Sequence, residues 1–178
     1  MKTIYFVRHG ESEANAAGIT AGGGLNVGLT EHGRQQAQKV GDALKNKEIE
    51  LIVSSPMKRA YDTAVIIAQT LGSDPAKIVT NQLFTERHLG EMTGAKREMV
   101  RTYYDAGVLP ASAEKTEALY ARIIQGLEWL KTLEANKIAL VSHGGPGRMI
   151  RTIYMQEHHS QINSLGRIGN AEILELNL

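Results

Sequence analysis

The sequence, 178 residues long, contains no cysteine. It can therefore form no disulfide, offer no thiolate nucleophile and hold no zinc through sulfur, and a reducing compartment suits it. Charge of one sign is equally scarce: 20 Lys and Arg face 19 Asp and Glu, a formal net charge of +1. Nothing draws the chain as a whole to nucleic acid or to a membrane, so any basic site must be local. No apolar run reaches the length of a membrane span or a signal-peptide core; Ile4-Tyr5-Phe6-Val7 is cut short by Arg8-His9. A soluble, unexported, cytoplasmic protein is expected. The phosphate-cradling patterns G-x-G-x-x-G and G-x-x-x-x-G-K-[ST] are missing too. The aspartates Asp42, Asp62, Asp74 and Asp105 form no Asp-x-Asp pair and no cluster, so neither a metal nor another cofactor is expected. His158-His159 is the one histidine pair, but its neighbouring rings should point apart and no third ligand is suitably spaced.

What is present has the composition of a globular protein, 42% hydrophobic and 22% charged, in a length that suits one domain. Ile4 to Val7 is β-branched and aromatic on both faces, the pattern of a central strand covered from two sides. Leu51-Ile52-Val53, Ile78-Val79 and Ile138 to Val141 read as further strands, and residues 171–178 alternate like an edge strand. Helical spacing runs from the N-cap Thr30 to Lys45, with Ala37, Val40 and Leu44 inward. Ser55-Pro56 looks like an N-cap and first helical proline for a helix ending at Gly72. Further helices are expected near residues 96–106, over 113–134 with Leu119, Ile123, Ile124, Leu127 and Leu130 on one stripe, and after Pro146. Residues 84–94 read as loop, and Gly22-Gly23-Gly24 as a mobile rim loop. Strands alternating with helices argue for an α/β fold.

Two of the predicted strands end in His-Gly, at Arg8-His9-Gly10 and Ser142-His143-Gly144. A glycine beside each histidine lets backbone approach a ligand closely, which suits an anion. Five ordered blocks extend this pattern: Val7-Arg8-His9-Gly10-Glu11-Ser12; Leu29-Thr30-Glu31-His32-Gly33-Arg34-Gln35-Gln36-Ala37; the segment Ser54 to Ala64 around Arg59; Thr85-Glu86-Arg87-His88-Leu89-Gly90; and Val141-Ser142-His143-Gly144-Gly145. Together they resemble the histidine phosphatase superfamily, also called the phosphoglycerate mutase-like family. The resemblance implies a three-layer α/β/α sandwich around a mixed, mostly parallel sheet, with the site at strand C-terminal ends.

It also implies roles. His9 would attack phosphorus as a neutral imidazole, kept neutral by nearby guanidinium groups, to give a phosphohistidine. Arg8 and Arg59 would bind phosphate oxygens, Arg59 from the first turn of a helix whose N-terminus also favours anions. Asn15 and the Gly144 backbone would help bind phosphate, and His143, if protonated, would be a third cationic donor. Glu86 would be the general acid for the leaving oxygen, holding its proton beside a phosphate dianion. Arg97 is placed to meet a second anionic group or simply to be solvated.

The expected activity is metal-independent hydrolysis of a small phosphate monoester. The alternatives are phosphoglycerate mutase-type transfer, a phosphohistidine phosphatase acting on proteins, and a non-catalytic phospholigand-binding module. Mutases of this kind carry a paired-arginine stretch in a longer segment between acid and second histidine; residues 87–141 are short and contain no Arg-Arg. Glu117-Ala118-Leu119 and Arg122 resemble the branch that acts on small molecules. Oligomeric state is not legible.

Overall fold

The computed structural model describes residues 2–178, apart from the side chain of Asp105. Its strands are β1 (Thr3–Arg8), β2 (Leu51–Ser54), β3 (Val79–Thr80), β4 (Lys137–Ser142) and β5 (Ile173–Asn177). They form one sheet in the order β3-β2-β4-β1-β5. β3, β2, β4 and β1 run parallel, and β5 pairs antiparallel with β1. The helices are α1 (Glu13–Ala16), α2 (Glu31–Leu44), α3 (Lys58–Thr70), α4 (Arg97–Asp105), α5 (Thr116–Thr132) and α6 (Gly144–Tyr154). Among the described residues no helix is long and apolar enough to cross a membrane.

Because successive strand residues face opposite ways, continuous apolar runs feed two cores. Ile4, Phe6, Val53, Ile138 and Leu140 pack with Leu119, Ile123, Leu127 and Leu130 of α5 and Met149 and Ile150 of α6. Tyr5, Val7, Ile52, Ala139 and Val141 pack with Val40 and Leu44 of α2 and Ala60, Ala64 and Ile67 of α3. The result is the expected α/β/α sandwich with a mixed, mostly parallel sheet. The α5 stripe forms as expected except that Ile124 is only half-buried.

Two helix starts differ from expectation. Thr30 caps α2 as read, accepting from the Gly33 N–H at 3.0 Å. The next helix, however, begins at Lys58 with Met57 at its N-cap and no side-chain cap. Ser55 Oγ pairs with His143 Nε2 at 2.8 Å and accepts from the Met57 N–H at 3.3 Å, and the helix opens two residues after Pro56. α6 begins at Gly144, ahead of Pro146, because a carboxylate from another loop receives an N–H of its first turn.

Candidate active site

β1 and β4 are neighbours in parallel register, with Arg8 opposite Ser142. The next residue of each strand is a histidine, so His9 and His143 emerge side by side at the strand C-terminal ends, where α/β sheets place ligands. Their rings meet edge-on with centroids 5.2 Å apart, and both are buried. His9 Nδ1 lies 2.6 Å from the Gly10 carbonyl oxygen. A carbonyl can only accept, so Nδ1 carries the hydrogen and Nε2 keeps the lone pair. That Nε2 accepts from Arg59 Nε at 3.2 Å. Burial first, then the Arg59 and Arg8 charges, hold His9 well below its ordinary value of 6.5; it is a neutral imidazole.

His143 is neutral as well, its pKa depressed by burial and then by Arg59, His9 and Arg8. It is therefore not the third cation that a protonated ring would have supplied: the surrounding charges disfavour the added proton. Its Nε2 pairs with Ser55 Oγ, while Nδ1 is buried without a partner among the described residues.

Arg8, His9, Asn15, Arg59, Glu86 and Gly144 all line one cavity of about 220 Å³; His143 stands beside His9, off that lining. Arg8 donates from Nη1 to the Ile168 carbonyl at 2.6 Å, and its buried Nε has no partner among the described residues. Arg59 is 2% exposed, although it is the second residue of its helix. Its Nη1 and Nη2 donate to the carbonyls of Leu25 and Gly22, each at 2.9 Å. This fastens the Gly22-Gly23-Gly24 segment, expected as a mobile rim, into the site wall; Gly23 N–H also donates to the Arg87 carbonyl at 2.8 Å. Asn15 Oδ1 accepts from Ser12 N–H at 3.2 Å and from Asn170 Nδ2 at 3.1 Å, so the opposite end of its amide is a donor. Asn170 Nδ2 also reaches the His9 carbonyl at 3.0 Å.

The Glu86 carboxylate sits at the start of α6. Its Oε1 accepts from Arg87 N–H at 2.8 Å and Gly145 N–H at 3.0 Å, whereas Oε2 has only a long contact of 3.4 Å with Gly145 N–H. Oε1 takes both short donors, which leaves Oε2 the less engaged oxygen. A Cβ on Gly145 would strike Oε1, so a side chain there would push the Glu86 carboxylate out of this position. The acid loop is braced from behind: Arg87 Nε donates to the Glu114 carbonyl at 2.8 Å. Arg122 holds both Glu114 carboxylate oxygens, at 2.6 and 3.0 Å, so it supports this loop and does not line the cavity.

Apart from Arg97, read from the sequence as meeting either a second anionic group or solvent, several lining residues were not expected. α4 turns Arg97, Val100, Arg101 and Tyr104 toward the cavity, and Arg148 and Arg167 line it from α6 and from the segment before β5. Arg87 and Arg148 lie over the Tyr104 ring, 5.6 and 5.8 Å from its centre. The spacing of the α4 residues is the signal that could have revealed that face. His158 and His159 do not point apart: their ring centroids are 4.0 Å apart with the planes tilted by 38°, and His159 lies 3.6 Å from Glu117. No three His, Cys, Asp or Glu are grouped as metal ligands among the described residues; the Asp105 side chain lies outside them.

One strand-end histidine, two arginines and a carboxylate thus line one cavity at the C-terminal edge of a mixed α/β sheet, with the second histidine beside the first. The chain belongs to the histidine phosphatase superfamily (branch 1), whose family model matches residues 4–178. It is 35% identical over 167 residues to phosphoglycerate mutase-like protein 4 of Arabidopsis thaliana, covering 85% of this chain and 69% of that one. It is 32% identical over 183 residues to a metal-independent phosphoserine phosphatase of the same plant, covering 96% and 74%. Among solved structures, a mycobacterial glucosyl-3-phosphoglycerate phosphatase superposes with a TM-score of 0.81 at 25% identity, covering 98% of this chain and 89% of that one.

Proposed function

We propose that this protein hydrolyses phosphate monoesters of small molecules without a metal, through a phosphohistidine on His9. The observation that carries the reading is the state of His9: buried, neutral, its Nδ1 hydrogen directed to the Gly10 carbonyl and its Nε2 lone pair beside Arg59. Such a nitrogen is a nucleophile needing no base, once the Arg59 Nε hydrogen it accepts turns to a phosphoryl oxygen. It attacks phosphorus, the P–O bond to the alcohol breaks, and the departing oxygen takes the proton from Glu86 Oε2. Glu86, now a carboxylate, removes a proton from water as that water attacks phosphorus. The P–N bond breaks, His9 is regenerated, and phosphate departs. Arg59, the Arg8 Nε and the Asn15 amide donate to the phosphoryl oxygens, where charge spreads during transfer. His143 acts as a neutral donor beside His9.

A cavity of about 220 Å³ favours a small ester over a phosphorylated protein. The nucleophile and the acid are both present, which argues against a binding module. Resemblance to a phosphoglycerate mutase-like relative favours phosphoryl transfer as the second reading. Against it, the segment after Glu86 is short and lacks paired arginines, so water reaches the phosphoenzyme and hydrolysis prevails. We place the protein in the cytoplasm.

The test is phosphate release from a panel of monoesters in EDTA, comparing wild type with His9→Ala. Release by wild type alone supports the reading. Loss of release in EDTA with recovery in Mg²⁺, or conversion of one phosphoglycerate to its isomer without free phosphate, overturns it.

A further inference from the structure

The nucleophile depends on the orientation of one peptide bond. The Gly10 carbonyl faces His9 Nδ1 at 2.6 Å, keeping the ring hydrogen there and the lone pair on Nε2. Were the Gly10–Glu11 peptide turned over, its N–H would face Nδ1 instead. The ring hydrogen would then move to Nε2, and the attacking lone pair would be lost. Glycine at position 10 gives the backbone freedom for such a turn, so something must hold it. Among the described residues the block Leu29 to Ala37 lines no part of the cavity, yet it closes on this peptide. Gln36 Oε1 accepts the Glu11 N–H at 2.8 Å, and a Cβ on Gly33 would strike the Glu11 carbonyl. The other end of the Gln36 amide lies 3.1 Å from His32 Nε2, which keeps Oε1 turned toward the peptide.

Asn170 grips the same peptide from its other end. Its Nδ2 donates to the Gly10 carbonyl at 3.2 Å and to the His9 carbonyl at 3.0 Å, while the Gly10 N–H donates to Thr63 Oγ1 at 3.1 Å. Two successive peptide planes after the nucleophile are thus held at both their C=O and their N–H. The next residue fixes Asn170 in turn: Ala171 N–H donates to the Arg8 carbonyl at 3.0 Å. Ala171 has φ 59°, a left-handed conformation that an alanine adopts only when its surroundings impose it. Neither Gln36 nor Asn170 lines the cavity, so both act through the backbone. The Gly10 carbonyl serves after attack as well. With Nε2 bonded to phosphorus and the hydrogen still on Nδ1 the ring is cationic, and this oxygen is the acceptor facing that charge. When the P–N bond breaks, the electron pair returns to Nε2 and the ring departs neutral.

We propose that Gln36 and Asn170 are positioning residues for the nucleophile: acting through the Gly10–Glu11 peptide, they fix His9 in the tautomer whose Nε2 attacks. This rests on the phosphatase reading above and extends it by giving the start of α2 and the segment before β5 a part in the reaction without contact to substrate.

The experiment reads the ring nitrogens and the chemistry separately in the full chain. Nitrogen-15 NMR of labelled histidine should show wild-type His9 as the Nδ1–H tautomer. Gln36→Met keeps the side-chain length and removes the acceptor; Asn170→Leu removes the donor. In both, part of the His9 population should move to Nε2–H, and phosphoryl transfer to His9 should slow by about 5–50-fold, the size of one lost hydrogen bond to a constrained group. Inhibition of Gln36→Met by inorganic phosphate should stay within about twofold of wild type, because Gln36 touches no phosphate donor. Asn170→Leu should weaken phosphate binding too, since Asn170 also holds Asn15 Oδ1 at 3.1 Å. Gln36→Glu, whose carboxylate can only accept, should restore both tautomer and rate. An unchanged Nδ1–H tautomer in both variants, whatever their rates, overturns the positioning role, as does a shifted tautomer with an undiminished rate or a loss that Gln36→Glu does not recover. Each of these leaves the phosphatase reading standing. Phosphate release with no label on wild-type His9 overturns the covalent reading instead, and the ring nitrogens of the free protein still decide whether the two amides set the tautomer.

Discussion

A histidine enclosed beside two guanidinium groups gives up its proton more readily than one in water, and His9 has nothing nearby to offset them except the Gly10 carbonyl. Replacing it with alanine should reduce turnover by about 10³-fold or more, since no other nitrogen occupies its position. The melting temperature should stay within about 4 °C, because the lost ring contributes little to either core. A large fall in melting temperature with activity retained would make His9 structural. Glu86→Gln separates the acid from the nucleophile. Alkyl esters, whose leaving oxygens need a proton, should slow by about 10²–10⁴-fold, whereas p-nitrophenyl phosphate should slow far less. Equal losses on both would remove Glu86 from the acid role. His9 was legible because its motif closes an apolar strand, and Glu86 because its loop block falls in order among the five that carry the resemblance. Arg148 and Arg167 were not, because an arginine on an amphipathic helix or in a loop is ordinarily solvated and only the fold brings the two to one cavity.

Between residues and the whole chain, the geometry depends on helix beginnings. α3 brings Arg59 under the glycine segment, whose Gly22 and Leu25 carbonyls hold the guanidinium. α6 brings the Gly144-Gly145 backbone to Glu86. Gly145→Ala should therefore act like Glu86→Gln, since its Cβ would displace Oε1. A larger activity loss on alkyl esters than on p-nitrophenyl phosphate is expected, and identical losses would contradict it. The strands and α2 could be read directly: apolar runs fit a sheet covered on both faces, and Thr30 Oγ1 accepts the capping Gly33 N–H while it donates to Glu11. The α3 start could not. Ser55-Pro56 has the local signature of a helix opening, yet the Ser55 hydroxyl pairs with His143 across the sheet, a contact no local pattern encodes. The same applies to the glycine segment, which reads as mobile until Arg59 is placed against it.

For the molecule as a whole, the two buried histidines make stability depend on pH. Both have folded-state pKa values well below 6.5. Below about pH 6.5 the unfolded chain takes up protons that the folded site refuses, so stability falls as pH drops. It is fully retained above that range. With two such groups the slope can reach about 2.7 kcal/mol per pH unit. Urea unfolding at pH 7.5 and pH 5.5 (about the two sides of that transition) should show the loss, and His9→Ala should show a shallower one. An identical slope in the variant would mean the depressed histidine is not responsible. The α/β/α architecture itself was legible, because the period of the strands and helices is set by burial alone.

The most direct test of the account is to mix wild-type protein with a phosphate-labelled ester in EDTA, quench early, and locate the protein-bound phosphate. The account predicts acid-labile, alkali-stable label on His9 that forms and decays at rates compatible with turnover, and none on His9→Ala. Phosphate release without any label on His9, or label that persists in the variant, would contradict it.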